Sequence, residues 1–543
     1  MQFRKLNDLF KGIGLSVNNQ KGMALIATLI FVFVISTMGI ALLTMTNNET
    51  KLSALQKDST DAFYLADSGT ERAISWMEKQ GAPPNSIPPP LDGSTDIEGM
   101  GGGYYNVTID PPSSGTEVFN KIYTITCIGH AGYSNSRRTI ETKIRVQSFA
   151  GFAYFSDEEK SEGGSTIWFR TGDVIDGKLH SNDLIHVSGT PNFLGEVTTA
   201  VDHIDYMNDS YHTYLDVNGV MQIYNPYFEN IFQSEETEWG LTLSDDYIPL
   251  PQNRDISGTQ YARSLENIAL GPSNTDVALN GVYIPKSGNN VNGGIYVNGD
   301  VEELILGTDS DNSKITIIQD IDGDDIKTEI ITNEIFRYTQ VIKYDENGTE
   351  IENIQYNNIS NGVLYVGGEV KDLQGDDSDG GLQGKLTIAA SGDITIGGDI
   401  LYSDRIDNDI DFSSEDADLS LINDSLGLVS EGDIIVERNA KGSDGSDNIE
   451  IDAILMAIGT SFTYEDYTDL MKGTLKIFGA FIQERRGPVG TFDSYSGYKI
   501  SGFTKDYHYD QRMASVDPDI PSMIPPYFPT TGNYDKISWR EIN

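Results

Sequence analysis

An uncharged apolar run, Met23 to Met45 (MALIATLIFVFVISTMGIALLTM), dominates the N-terminal region. As a helix rising about 1.5 Å per residue it would be roughly 35 Å long, enough to cross a bilayer. The next stretch, NNETKLSALQKDSTDAFYLADSGTERAISWMEKQ, keeps helix formers but narrows its apolar positions to one stripe. Leu52, Leu55, Ala62, Phe63, Ala66, Ala73, Ile74 and Met77 recur in steps of three and four, with Ser59 and Thr70 in the same stripe. Gly81, Pro83 and Pro84 mark its end. The pattern predicts one helix of roughly 55 residues, about 80 Å long. Its first half is apolar all round and its second half amphipathic.

Beyond the helix the period changes. Residues 81–103 are rich in Pro and Gly and read as a linker. Within 104–149, YYNVTID, KIYTITCIGHAG and SRRTIETKIRVQS alternate apolar and polar positions over strand lengths, which predicts a small antiparallel sheet. Cys127 sits inside one of these strands and reads as a buried free thiol. As the only cysteine, it excludes an intramolecular disulfide framework and a cysteine-cluster metal site.

The flanks of the apolar run orient it. Residues 1–22 carry Arg4, Lys5, Lys11 and Lys21 against one acid, Asp8, while the whole chain has 82 acidic and 37 basic side chains, a net charge of -45. A basic leader before the span and an acidic bulk after it predict an inside leader and an exported body. No small-residue cleavage site follows Met45, which argues against a secretory signal peptide. A plain single-span anchor fits the hydropathy equally well. The distinguishing feature is the junction Lys21-Gly22-Met23, where a polar leader ends in glycine directly before the apolar run.

Gly22, Met23 and the motif DSTDAFYLADSGTERAISWM (58–77) together resemble the class III signal and helix of type IV pilins and pseudopilins, most closely the PilX-like N-terminal family. The resemblance covers about residues 15–80. It implies cleavage after Gly22 by a prepilin peptidase, methylation of Met23 as the new N-terminus, and transfer of the helix from membrane to filament. Major pilins have Glu at the fifth mature position, but here that residue is Ala27. The departure puts the usual subunit-recruiting ion pair in doubt and favours a minor or tip subunit. A long helix leading into a small sheet also matches a pilin headpiece.

Residues 150–279 read as a second, β-rich domain. Thr171-Gly172-Asp173, Gly177, His180-Ser181-Asn182-Asp183, Gly189, Pro191 and Phe193 resemble a family of unknown function often found behind PilX-like N-termini, and no activity follows from it. His180, His186, Asp173 and Asp183 are close enough in sequence to suggest a cluster, but Gly, Asp, Asn and Ser at these spacings are ordinary turn formers. Across 280–501 a loose repeat recurs: Val297-Asn-Gly299-Asp300-Val301, Val366-Gly-Gly368-Glu369-Val370 and Ile396-Gly-Gly398-Asp399-Ile400, with partial copies at Ser391–Ile394 and Glu431–Ile434. Short strands joined at Gly corners predict a parallel β-solenoid with acidic insertions, with a β-sandwich as the alternative. Residues 502–543 form an aromatic, Pro-rich tail in which Trp539 is expected to pack the chain end onto the body. Its Tyr-Asp-x-Arg piece (509–512) and closing Ile-Ser-Trp-Arg-Glu (537–541) resemble the ends of large PilX-like proteins. The fold class is therefore α+β, mostly β.

The acidic balance excludes nucleic acid as a main partner, since a phosphate backbone needs a basic footprint. The acidic insertions raise calcium as a cofactor, most sharply at Asp320, Asp322, Asp324 and Glu329; the competing reading is a β-hairpin turned by DGDD. Otherwise no cofactor is expected. No nucleophile elbow or zinc-protease motif occurs, and the chain is expected not to be an enzyme.

The leading function is a minor pilin or pseudopilin presenting a large acidic domain for assembly, priming or adhesion. Its partners would be prepilin peptidase, other pilins with their assembly machinery, and the cytoplasmic membrane. It would cross that membrane once, C-terminus outside, before joining a pilus or the cell surface. The alternatives are a membrane-tethered solenoid that binds or degrades polysaccharide, and a calcium-dependent adhesin. A polyanionic substrate wants a basic cleft, and only Arg485-Arg486 forms a basic pair in this region.

Overall fold

The computed structural model describes residues 20–80, 84, 87–110, 122–132, 134–207, 211–251, 281–310, 312–376, 380–412, 414, 417–493, 499–514 and 523–542. One helix, α1 (Gln20–Met77), runs 58 residues through Gly22 and Gly39 without a break. At about 1.5 Å per residue it is roughly 87 Å long. Its C-terminal third lies on an antiparallel sheet whose strands are, in spatial order, β1 (Ile97–Glu98), β2 (Tyr104–Asp110), β3 (Ile122–His130), β4 (Arg137–Ser148) and the C-terminal strand Thr530–Ile542. Strict alternation puts Val107, Ile109, Tyr123, Ile125, Cys127, Ile140 and Ile144 on the face beneath the helix.

The body follows β4 through a short bend into β5 (Tyr154–Glu158). Parallel to β5 lie Leu179–Ser181, Val197–Thr199 and Leu241–Leu243, each beside the one before. A second parallel series consists of Ile295–Asn298, Val363–Val366, Lys385–Ala390, Ser425–Ser430, Ile449–Ala457 and Met471–Arg485. The series join where Phe481–Arg485 pairs in parallel with β5, so both belong to one sheet. Between its strands the second series visits another parallel sheet: Val370–Gly375, Ile394–Gly398, Ile434–Lys441 and Phe462–Tyr464. The chain thus alternates between two sheets. It buries Leu364, Val366, Ile388, Leu428 and Ile451 from one, and Val370, Leu373, Ile394, Ile396 and Val436 from the other, in a common core.

The Gly-acid repeats are the corners between these sheets. Asp300 Oδ1 accepts the N–H of Glu369 at 3.0 Å, Asp393 Oδ1 that of Asp433 at 2.7 Å, and Asp433 Oδ1 that of Ser461 at 2.7 Å. Each carboxylate satisfies a backbone donor at the next corner, which strand pairing there leaves open. A Cβ at Gly368 would collide with the Asp300 carboxylate, and one at Gly432 with that of Asp393. Glycine is required because the capping carboxylate occupies the place of its side chain.

Two departures from simple alternation follow. Glu303–Asp309, Asn312–Ile321, Asp324–Asn333, Tyr338–Tyr344 and Glu350–Asn357 form an antiparallel meander that widens the second sheet. After Lys499–Tyr509, residues 523–529 run over the outer face of the first sheet, where Met523, Ile524 and Phe528 cover Tyr296, Tyr365, Ala389 and Val429. The chain then returns to the helix-bearing sheet. The Pro529 carbonyl accepts from Phe149 N at 3.1 Å and Ser148 Oγ at 3.2 Å. The whole body is therefore an insertion between two neighbouring strands, β4 and Thr530–Ile542.

Candidate functional site

The two ends of α1 meet different surroundings. Met23, Leu25, Ile30, Phe33, Leu42 and Met45 are exposed, and so are Leu52 and Leu55 from the predicted stripe. Burial begins at Ala62 and continues through Leu65, Ala66, Thr70, Ala73, Ile74 and Met77. The stripe is thus seated only over its second part, because the sheet beneath it reaches no further.

Small residues make the seat. A Cβ at Gly129 would run into the backbone of Ala62 and Ala66, and one at Gly69 into Cys127 Sγ and the Tyr105 ring. Helix and sheet approach closely because Ala62 and Ala66 lie against Gly129, and Gly69 against Cys127 and Tyr105. Burial pushes the Cys127 thiol up to about 12, with the charge of Asp67 adding to the rise. The thiol serves as packing. The C-terminal strand also grips the helix. Trp539 meets Phe63 edge to face at 6.1 Å, Lys536 Nζ donates to Glu71 at 2.5 Å, and Arg138 bridges Ser59 and Glu541.

Gly22, Met23 and Ala27 all lie on the exposed apolar end of α1. Residues 1–19, most of the predicted leader, fall outside the described residues.

The four proposed calcium ligands are not brought together. Asp320 and Asp324 flank a hairpin turn formed by Asp322, at φ 59°, and Gly323, with Ile321 opposite Asp324. Asp320 Oδ1 accepts the Gly323 N–H at 2.7 Å. Glu329 lies five residues down the strand from Asp324, about 17 Å at strand rise. It already binds Lys327 Nζ and Tyr344 Oη, each at 2.9 Å. Among the described residues no group of three or more His, Cys, Asp or Glu is arranged to hold a metal ion.

The histidine and aspartate group of 173–186 also has separate uses. His180 is buried against the Phe155 ring and hydrogen-bonded to Thr198 and Asn182. Burial lowers its pKa. Asp183 accepts from Glu159 N, and Asp173 from Arg170 N.

α1 is long and apolar enough to cross a membrane, and its most apolar stretch is wholly unburied. Residues 21–71 match the family described as PilX N-terminal, covering the exposed half of the helix and most of the seated half. This region is similar to the PilX N-terminal family. Residues 121–201 match a domain of unknown function, DUF4900, which spans β3, β4 and the first strands of the body. The chain is thus type IV pilin-like over residues 21–71. No curated protein matches the sequence. Among solved structures, the competence-associated pilin ComZ from Thermus thermophilus aligns over 89% of this chain and 97% of its own, at 11% identity and a TM-score of 0.27. So loose a superposition settles neither fold nor function.

Sequence reasoning found the PilX helix but not what holds it. Ala62, Ala66 and Ala73 were legible as members of the apolar stripe, but not Gly69, nor the close approach they make with it. The C-terminal strand that completes the headpiece carried no such signal.

Proposed function

We propose that this chain is a minor subunit of a type IV pilus or related secretion filament, cleaved between Gly22 and Met23 and methylated at Met23. The observation that carries this reading is the continuity of α1. One unbroken helix presents about 36 exposed residues and then seats on the headpiece, the shape a subunit needs to exchange lipid for neighbouring helices. Ala27 offers no carboxylate to a neighbour's amine, which favours a capping or priming position over repeated addition. The acidic body is read as outside the membrane, where it acts in assembly or adhesion. Its strand alternation and stacked Gly-acid corners support a solenoid, in two series that meet at β5.

Mass spectrometry of the mature N-terminus tests the processing step. The wild-type protein is expected to begin at Met23, and the Gly22→Ala variant to retain residues 1–22. A full-length wild-type protein in membranes, absent from sheared surface filaments, would reduce the proposal to an ordinary tethered ectodomain.

A further inference from the structure

Where the two strand series meet, the body encloses a cleft of about 540 Å³. Its lining comes from stretches far apart in sequence. Asp173 and Val174 lie at a short parallel pair, Val174–Ile175 with Asn192–Phe193, Phe478 and Phe481 on the last long strand with Arg486 just past its end, and Lys505 and Tyr507 on the strand beside it.

The charges in this cleft are unevenly matched. Arg486 is fully engaged: its Nη1 donates to buried Glu159 at 3.2 Å, and its guanidinium lies 3.8 Å over the Phe169 ring. Asp506 is held by His508 at 2.9 Å, and Asp176 accepts from Gln511 at 3.3 Å. Lys505 differs. Among the described residues its ammonium makes no hydrogen bond or ion pair, and Asp173 acts on it only at longer range. Lys505 is half-buried, and an ammonium partly withdrawn from water without a partner is unfavourably placed. An anion entering from solvent would supply the missing partner.

The walls define the rest of the ligand. Half-buried Tyr507 packs on Phe481 at 4.5 Å and offers aromatic surface to an apolar face. Asp173, Asp176 and Asp506 around the same cleft are hydroxyl acceptors. Aromatic surface for C–H faces, carboxylates for hydroxyls and one cation for one carboxylate are together the complement of a sugar acid. A peptide would instead call for open backbone donors and acceptors along an edge. The net charge of -45 repels extended polyanions, so one acidic residue suits the cleft better than a chain of them.

We propose that this cleft binds a saccharide carrying a single carboxylate, a uronate-type sugar, with its carboxylate on Lys505. This inference does not depend on how the chain is processed or on its place in a filament.

The test uses detergent-solubilised full-length protein and ligand-observed NMR titration. The probes are methyl glucuronoside, methyl galacturonoside, their neutral methyl glycosides and N-acetylphenylalanine. At least one uronoside is expected to bind saturably, about tenfold or more tighter than its neutral counterpart, as one charge-assisted hydrogen bond implies. Lys505→Met is expected to erase that preference. Should this variant lose its fold, Val174→Trp at the exposed rim decides, because it narrows the entrance without touching the core and is expected to abolish binding. Four results overturn the proposal: no saturable uronoside binding, equal affinity for neutral sugars, preference for N-acetylphenylalanine, or uronoside binding unchanged in the folded variants.

Discussion

The two halves of α1 reverse the usual relation between apolarity and burial. The half rich in Leu, Ile, Val and Phe, from Met23 to Met45, touches nothing in the monomer, while the half that seats on the sheet buries Leu65, Ile74 and Met77 between small residues, Ala62, Ala66, Gly69 and Ala73, that bring the backbones together. Large side chains give lipid or neighbouring helices an apolar surface and need no particular partner. Small ones allow two backbones to approach, but only where the opposing surface also lacks bulk, as at Gly129. The first half is therefore defined by its solvent, and the second by a specific fit.

The comparison breaks most visibly at Gly129. Gly129→Val drives a branched side chain into helix backbone that has no rotamer with which to yield. The headpiece is expected to lose about 3 kcal/mol or more. Alkylation of Cys127, shielded beneath Gly69 in the seated helix, would report the loss as faster labelling under native conditions. An unchanged labelling rate would mean that the helix is not held by close approach.

A smaller effect is expected from pH. The Cys127 thiol is raised from an ordinary value near 9.0 to about 12 by burial. The folded state then holds its proton more tightly than the unfolded chain. The thiol's contribution to stability is intact below about pH 9 and declines as pH climbs toward 12. Comparing denaturant midpoints of wild type and Cys127→Ala across that window checks it, and the two curves are expected to converge with rising pH.

The smallest effect is expected from the exposed half. Leu42→Asn replaces a side chain that meets no other part of the monomer. Headpiece stability should stay within about 0.5 kcal/mol of wild type. Retention in membranes or filaments, measured by fractionation, is where this substitution should tell. Loss of headpiece stability instead would show that the two halves are not independent.

Much of this arrangement was legible along the chain. Period-two alternation placed strands at YYNVTID, around Cys127 and at RRTIETKIRVQS, where β2, β3 and β4 lie. The DGDD turn joins two strands as the hairpin reading had it, which leaves Glu329 far from the aspartates. The Gly-acid repeats were visible as a form, though not as a ladder of carboxylates capping the next backbone. Leu52 and Leu55 continue the helical stripe, yet are exposed because periodicity describes a face and not the length of what covers it. The C-terminal strand was hidden for another reason. Its partner β4 lies nearly four hundred residues earlier, its register shifts twice, and Gly532 weakens its strand character. The cleft at the meeting of the two series was equally hidden, since no local window contains its lining.

Because the body is threaded between adjacent strands of the headpiece, the sheet under the helix stays one strand short until residues 530–542 arrive. Until then β4 presents a bare edge, open to pairing with any passing chain. The sheet is complete only once the whole intervening polypeptide has been made, and Trp539 and Lys536 tie that last strand to the helix.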